Sequence, residues 1–90
     1  MKLTRADVFR GLLLSRKITK AQVRAMLDEL PTKTDAQVLI KEMAIIDFED
    51  SLYFYRDNEL LISIANSLEI TSEQLDNFFK TNDYKALGVK

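Results

Sequence analysis

Apolar and polar residues follow helical spacing over most of the chain, and the clearest example is the segment 59–79. Its first half forms one wide apolar stripe and its second half a smaller one. Between them, Thr71 and Gln74 have the spacing of a capping box, while Ile70 and Leu75 have that of a hydrophobic staple. The pattern predicts two short helices joined at a capped corner. The two stripes consist of Leu60, Leu61, Ile64, Ala65 and Leu68, and of Leu75, Phe78 and Phe79.

A recurring motif predicts three further helix starts. Thr4, Thr19 and Thr34 are spaced fifteen residues apart, and each is followed three residues later by Asp or Gln. A threonine oxygen caps the first backbone N–H groups of a helix, and the later polar side chain can return the bond. The predicted helices run from about Arg5 to Arg16, from about Lys20 to Leu30 before Pro31, and onward from Asp35.

Each of these three helices has apolar residues at positions expected for a packed side. The second half of the first helix is almost wholly apolar, which favours a central position in the fold. The residues are Val8, Phe9, Leu12 and Leu13 in the first helix, Val23, Met26, Leu27 and Leu30 in the second, and Val38, Leu39, Met43, Ile45 and Ile46 in the third.

The segment 45–56 is open to two interpretations. Leu52 and Phe54 alternate with Tyr53 and Tyr55 after a Glu-Asp-Ser turn, which is typical of a short β-hairpin. Helical spacing relates Leu52 equally well to Phe48, and no Asn-Gly or Asp-Gly turn is present. We favour a hairpin or an irregular aromatic loop in this segment.

These elements predict a mainly α fold of one domain, 1–90, with five short helices in a compact bundle and with or without a small β-hairpin near 45–56. Ninety residues can bury roughly 60% of the unfolded surface, which suffices for one stable core. The last elements are a helix from Glu59 to Glu69 capped by Asp57 or Asn58, a helix from Ser72 to about Lys80, and a final turn through Tyr84 and Leu87 that stops at Gly88.

Composition removes most catalytic chemistry. The chain has no cysteine and no histidine, which excludes disulfides, thiolate metal sites and the usual nucleophile and base pairs. With glycine only at 11 and 88, no phosphate-binding loop is present. We therefore expect no enzymatic activity, no metal and no cofactor. The aliphatic runs are too short for a membrane span, so we expect a cytoplasmic protein without membrane contact.

Charge divides the chain into two halves of opposite sign. Residues 1–41 have nine Lys or Arg and four Asp or Glu, a charge of +5, whereas residues 42–90 have four and ten, a charge of −6. Such asymmetry indicates a basic surface for an anionic partner, or halves that attract each other within or between chains. Charges scattered by chance on solvated helix faces are the simpler alternative.

The order of the first three helices matches a helix-turn-helix unit, with helix two, a three-residue Pro-Thr-Lys turn and helix three as its core. On this hypothesis the third helix would read DNA bases, and nearby cations would contact phosphates. The same residues equally fit the polar side of an ordinary amphipathic helix. The base-reading set is Lys33, Thr34, Gln37 and Lys41, and the phosphate-contacting set is Arg16, Lys17, Lys20 and Arg24.

The segment Ile64-Ala-Asn-Ser-Leu-Glu-Ile70, followed by Thr-Ser-Glu-Gln-Leu75, is similar to the last two helices of phage-repressor (Cro/CI-like) helix-turn-helix domains. This resemblance covers about a fifth of the chain. A hairpin within 45–56 would make the arrangement similar to a winged helix. Both resemblances imply a DNA-binding scaffold.

Two functions follow from these patterns. The first is a small DNA-binding regulator, with the basic half on DNA and the acidic half in self-association as a homodimer. The second is a protein-binding module, such as an inhibitor, an immunity factor or a phage-type assembly adaptor, acting through Tyr53, Phe54, Tyr55 and the acidic C-terminal surface. The charge division favours the first, and the isoelectric point of about 5.4 favours the second.

Overall fold

The computed structural model describes residues 1–89, which form five α-helices, two short strands and a 3-10 turn. The predicted class, a mainly helical bundle, is confirmed. No helix in this range is long and apolar enough to cross a membrane. The elements are β1 (Lys2–Thr4), α1 (Arg5–Arg16), α2 (Lys20–Asp28), α3 (Asp35–Asp50), β2 (Tyr53–Tyr55), α4 (Glu59–Ser67), α5 (Ser72–Thr81) and the 3-10 turn (Tyr84–Leu87).

The helix starts are where the capping chemistry predicts them. The hydroxyls of Thr4, Thr19, Thr34 and Thr71 each accept the backbone N–H of the third residue that follows. In the last three cases a glutamine side chain returns the bond and completes a capping box. Asp7 at the start of α1 instead accepts from Arg10, one turn later. The cap of α4 is Asn58, one of the two residues predicted for that role.

The segment 45–56 contains the end of α3 and one strand. Helix α3 continues to Asp50, and β2 then pairs antiparallel with β1, so that Leu3 lies opposite Phe54. The predicted strand is therefore present, but its partner is the N-terminal segment and not a neighbouring strand in a hairpin. Leu3 and Phe54 are both buried while the residues on either side are exposed, which explains the alternation in the sequence.

The capped corner between α4 and α5 supplies much of the core, as predicted. Leu61 and Ile64 of α4 are buried, and the staple residues Ile70 and Leu75 are both buried as well. Helix α1 packs against the strands and the 3-10 turn, and that turn packs against α5. Helix α1 and the ring of Phe78 on α5 approach each other closely at Gly11. A Cβ atom at this position would lie 2.8 Å from Cε1 of Phe78, so a larger residue would force the ring to move.

Three phenylalanines join α1, α3 and β2. The ring of Phe9 contacts the rings of Phe48 and Phe54 edge-on, with centroid distances of 5.2 and 5.8 Å. Edge-to-face contacts of this kind stabilise an aromatic cluster beyond the area that it buries. Phe48 therefore fixes the C-terminal part of α3 to the core.

Two expectations about buried residues are corrected. Leu13 of α1 is exposed, because the buried side of this helix is centred on Val8 and Leu12. One residue further along a helix is a rotation of about 100°, which takes Leu13 out of the core. The second correction concerns the residues predicted on the packed side of α3: Ile45 packs partly against the core, whereas Val38, Leu39, Met43 and Ile46 are exposed.

Candidate functional site

The surface of α3 carries an unusual density of exposed apolar side chains. Leu39 is 63% exposed and Met43 is 57% exposed, and Val38, Ile40 and Ile46 are similarly uncovered. Large aliphatic side chains of this number are normally buried, and contiguous exposed patches mark interaction sites in soluble proteins. Helix α3 therefore provides a candidate binding surface.

The exposed residues of α3 form a stripe along the helix. Leu39, Met43 and Ile46 are spaced at i, i+4 and i+7, which places them on one side of a helix, and Ile40 lies beside them. Spacings of four and three residues are those of the contact seam in a coiled coil. We call Leu39, Ile40, Met43 and Ile46 the α3 apolar face.

A groove adjoins this face and runs between the α2–α3 pair and α4. Its cavity volume is about 430 Å³. Buried side chains of α2 and α4, among them Leu27 and Ile64, line it together with the exposed Ile40 and Met43. The apolar surface thus continues from the outer side of α3 into the groove. Its other apolar lining residues are Met26, Leu30, Ala44 and Leu60.

The polar residues of the groove are acidic or neutral. Asp47 of α3 accepts a hydrogen bond from the side-chain amide of Asn58 at 3.3 Å, and Glu59 begins α4 beside it. Within residues 1–89, no lysine or arginine is among the residues that line the groove. The remaining polar lining residues are Ser63 and Ser67.

Several residues predicted to contact DNA are engaged within the protein. Arg16 donates to the carbonyl oxygens of Leu68 and Leu87, both at 2.8 Å. Arg24 forms ion pairs with Asp28 and Glu49.

Lys41, predicted to read bases, lies against α2 instead. Its ammonium group donates to the backbone oxygen of Asp28 at 2.9 Å. This bond directs the side chain toward α2 and away from the outer side of α3. Of the predicted cations, Lys41, Arg16 and Arg24 thus all have partners within the chain.

The other residues predicted to contact DNA are either helix-capping residues or exposed lysines. Thr34 and Gln37 form the capping box of α3, so their polar atoms satisfy the backbone of the helix start. Lys17, Lys20 and Lys33 are exposed. The connection between α2 and α3 spans residues 29–34, which is longer than the expected three-residue turn.

The aromatic segment contributes less surface than the sequence suggests. Phe54 is 1% exposed and packs in the core, so its side chain does not form part of the predicted interface. Tyr53 and Tyr55 alternate with it and remain exposed, and the ammonium of Lys2 lies 4.2 Å from the Tyr53 ring centre. These tyrosines belong to the β1–β2 ribbon and are not among the lining residues of the groove.

The groove was missed by sequence reasoning, although one signal was present. Apolar residues at 38–40 and 43–46 surround α3 on more sides than one neighbouring element can cover.

Comparisons with protein-family models, curated proteins and solved structures find no match. The helix-turn-helix resemblance therefore stays a prediction from the sequence.

Proposed function

We propose that this protein is a non-catalytic protein-binding module that holds a helical segment of another protein in the groove between α3 and α4. The observation that carries this proposal is the α3 apolar face, four large aliphatic residues that lie exposed and continuous with the groove. Covering such a surface with apolar side chains removes it from water, which is the main favourable term in protein association.

The dimensions of α3 suit a helical occupant. Its sixteen residues span about 24 Å, and a partner helix lying along it would meet the face through residues at i, i+3, i+4 and i+7. Leu39, Met43 and Ile46 would contact that stripe in the manner of a coiled-coil seam. Ile40 would contact the side of the partner helix that enters the groove.

DNA binding by the basic half is the second candidate function. The charge of +5 over residues 1–41 and the exposed Lys17, Lys20 and Lys33 support it. The outer side of α3 opposes it, because side chains that read bases are mainly Arg, Lys, Asn and Gln, whereas this side presents aliphatic residues. Lys41 is also directed toward α2. We therefore place the protein-binding function first.

A designed peptide tests the proposed function. The probe is a helix of about 18 residues with leucines at i, i+3, i+4 and i+7 and glutamines on its other side. We expect it to bind the isotopically labelled full chain and to shift amide resonances of α3 and α4 selectively. The change Met43→Glu should weaken binding at least about tenfold, because it places an unpaired charge against the apolar peptide.

The matched control for this experiment is Leu52→Glu. Leu52 is 78% exposed and is not among the groove residues, so this variant should bind the peptide as the unchanged chain does. Binding of a random-sequence DNA duplex, measured by fluorescence anisotropy at low and near-physiological salt, tests the second candidate function. Absence of peptide binding, together with DNA binding that Lys20→Glu abolishes, would reject our proposal in favour of the regulator.

A further inference from the structure

Carboxylates lie on both sides of the α3 apolar face. With helical spacing, Asp35 and Glu42 fall along one edge of the stripe, and Asp47 falls on the opposite, groove side beside Ile40 and Met43. Asp50 follows Ile46 by four residues and extends the stripe at its C-terminal end. Asp47 also lines the groove. A partner that covers the stripe therefore brings its flanking residues next to negative charge on each side.

Two cations of this region, Lys41 and Arg24, are directed elsewhere, whereas Lys33 lies exposed before the start of α3. Lys41 is the only basic residue of α3, and it donates to the backbone oxygen of Asp28. Arg24 on α2 is paired with Asp28 and Glu49. The groove itself is lined by Asp47 and Glu59 and, within residues 1–89, by no basic side chain. Among the ion pairs formed within residues 1–89, none involves Asp35, Glu42, Asp47 or Asp50.

A second copy of this chain is a poor occupant of the site. In a symmetric dimer the same surface meets itself, so pairing through α3 would bring the carboxylates beside the apolar face of one copy close to those of the other. Like charges flanking a helical seam oppose pairing, whereas opposite charges select a partner. A nucleic acid backbone is opposed by the same negative charge.

We propose that the partner segment is a cationic amphipathic helix, whose apolar stripe covers the α3 apolar face and whose lysines or arginines pair with the carboxylates at its edges. This inference rests on the proposed function and adds the charge of the partner to it. Apolar contact supplies most of the affinity, and the charges set the selectivity and increase the association rate.

Three peptides that differ only on the polar side test this inference. All carry the same leucine stripe, and the flanking positions are lysine, glutamine or glutamate. We expect the lysine peptide to bind the full chain about tenfold more tightly than the glutamine peptide at low salt, and the glutamate peptide to bind most weakly. Raising the salt to about 0.5 M should remove most of the difference, since screening acts on exposed charges.

A charge-neutralised variant separates selectivity from affinity. Glu42→Gln combined with Asp47→Asn should reduce several-fold the ratio of the affinity for the lysine peptide to the affinity for the glutamine peptide. Glu73→Gln is the matched control, because Glu73 is an exposed carboxylate on α5 that is not among the groove residues. It should leave all three affinities unchanged.

The possible outcomes separate the inference that the partner is cationic from the proposed protein-binding function. Equal binding of the three peptides would overturn the cationic partner and leave the protein-binding function in place. Failure of every peptide to bind would reject both. Self-association measured by sedimentation, if abolished by Met43→Glu, would assign the site to a second copy and also overturn the inference.

Discussion

At the scale of single residues, Arg16 joins three parts of the chain that are distant in sequence. It ends α1 and donates to the carbonyl oxygens of Leu68 after α4 and of Leu87 in the 3-10 turn. Carbonyl groups at helix ends carry partial negative charge, and a planar guanidinium can donate to two of them at once. A residue that the helix-turn-helix hypothesis places on a DNA phosphate therefore holds distant parts of the fold together.

Arg16→Met should lower the free energy of unfolding by about 2 kcal/mol or more, because the change leaves two carbonyl oxygens without their charged donor. Urea denaturation measures the loss. Arg16→Lys should recover only part of it, since an ammonium group lacks the planar fork. Arg10→Met is the control, with an effect below about 1 kcal/mol, because the Arg10 ion pair with Asp7 is exposed. An effect of Arg16→Met as small as that of the control would contradict this role.

At the scale of the helix, α3 is divided into an anchored part and a free side. Phe48 near its C-terminal end is buried in the aromatic cluster, and Lys41 ties its middle to the end of α2. The α3 apolar face lies on the side that these contacts leave uncovered. The core thus holds the helix in place while its outer side remains open to a partner.

Phe48→Ala and Met43→Ala should differ strongly although both shorten an apolar residue of α3. The first should lower the free energy of unfolding by about 3 kcal/mol, because it opens a cavity between three packed elements. The second should change it by less than about 0.5 kcal/mol, because Met43 is largely exposed. Chemical denaturation of both variants measures the difference, and a large loss in Met43→Ala would mean that this side is packed.

Local chemistry explains which parts of α3 and its neighbours were predictable. Thr34, Gln37 and Asn58 cap helices within their own turns, so the sequence of a few residues is sufficient to locate the helix starts. Periodicity identifies the apolar sides of a helix, but it does not show which of them a neighbouring element covers. Met43 and Ile46 therefore looked like core residues, and the groove beside them depends on where α4 packs.

Contacts between distant segments are not predictable from the sequence either, because no local pattern specifies them. Tyr53–Tyr55 has strand character in the sequence, yet its pairing with Lys2–Thr4 depends on the whole intervening chain. The hydrogen bonds of Arg16 span 52 and 71 residues and have no local signal either. Of the predicted site residues, those with local roles were located correctly as helix caps, and their proposed contacts with DNA stay predictions.

At the scale of the whole molecule, the two oppositely charged halves are joined by packing and little by ion pairs. Among residues 1–89 the single ion pair between the halves is that of Arg24 with Glu49, and both side chains are partly exposed. Partly exposed pairs contribute little to stability. The halves instead meet through apolar contacts such as those of α1 with the 3-10 turn, where Leu87 is fully buried.

Leu87→Ala should lower the melting temperature by roughly 10 °C or more. Removing a fully buried leucine costs about 2–5 kcal/mol, and each kcal/mol corresponds to about 4–8 °C in a domain of this size. Val89→Ala is the control, because Val89 is 58% exposed and its truncation should leave the melting temperature within about 2 °C. Thermal unfolding followed by circular dichroism measures both. Equal melting temperatures would show that the C-terminal turn is dispensable.

The packing of α1 against β2 and the 3-10 turn has a consequence for synthesis on the ribosome. The partners of α1 include Phe54, Phe78 and Leu87, all of which are translated long after α1 itself. At a synthesis rate of about 5–20 residues per second, roughly 4 to 16 s pass between the translation of α1 and that of the last of these partners. We therefore expect this side of α1 to stay uncovered on the nascent chain until the 3-10 turn has been translated.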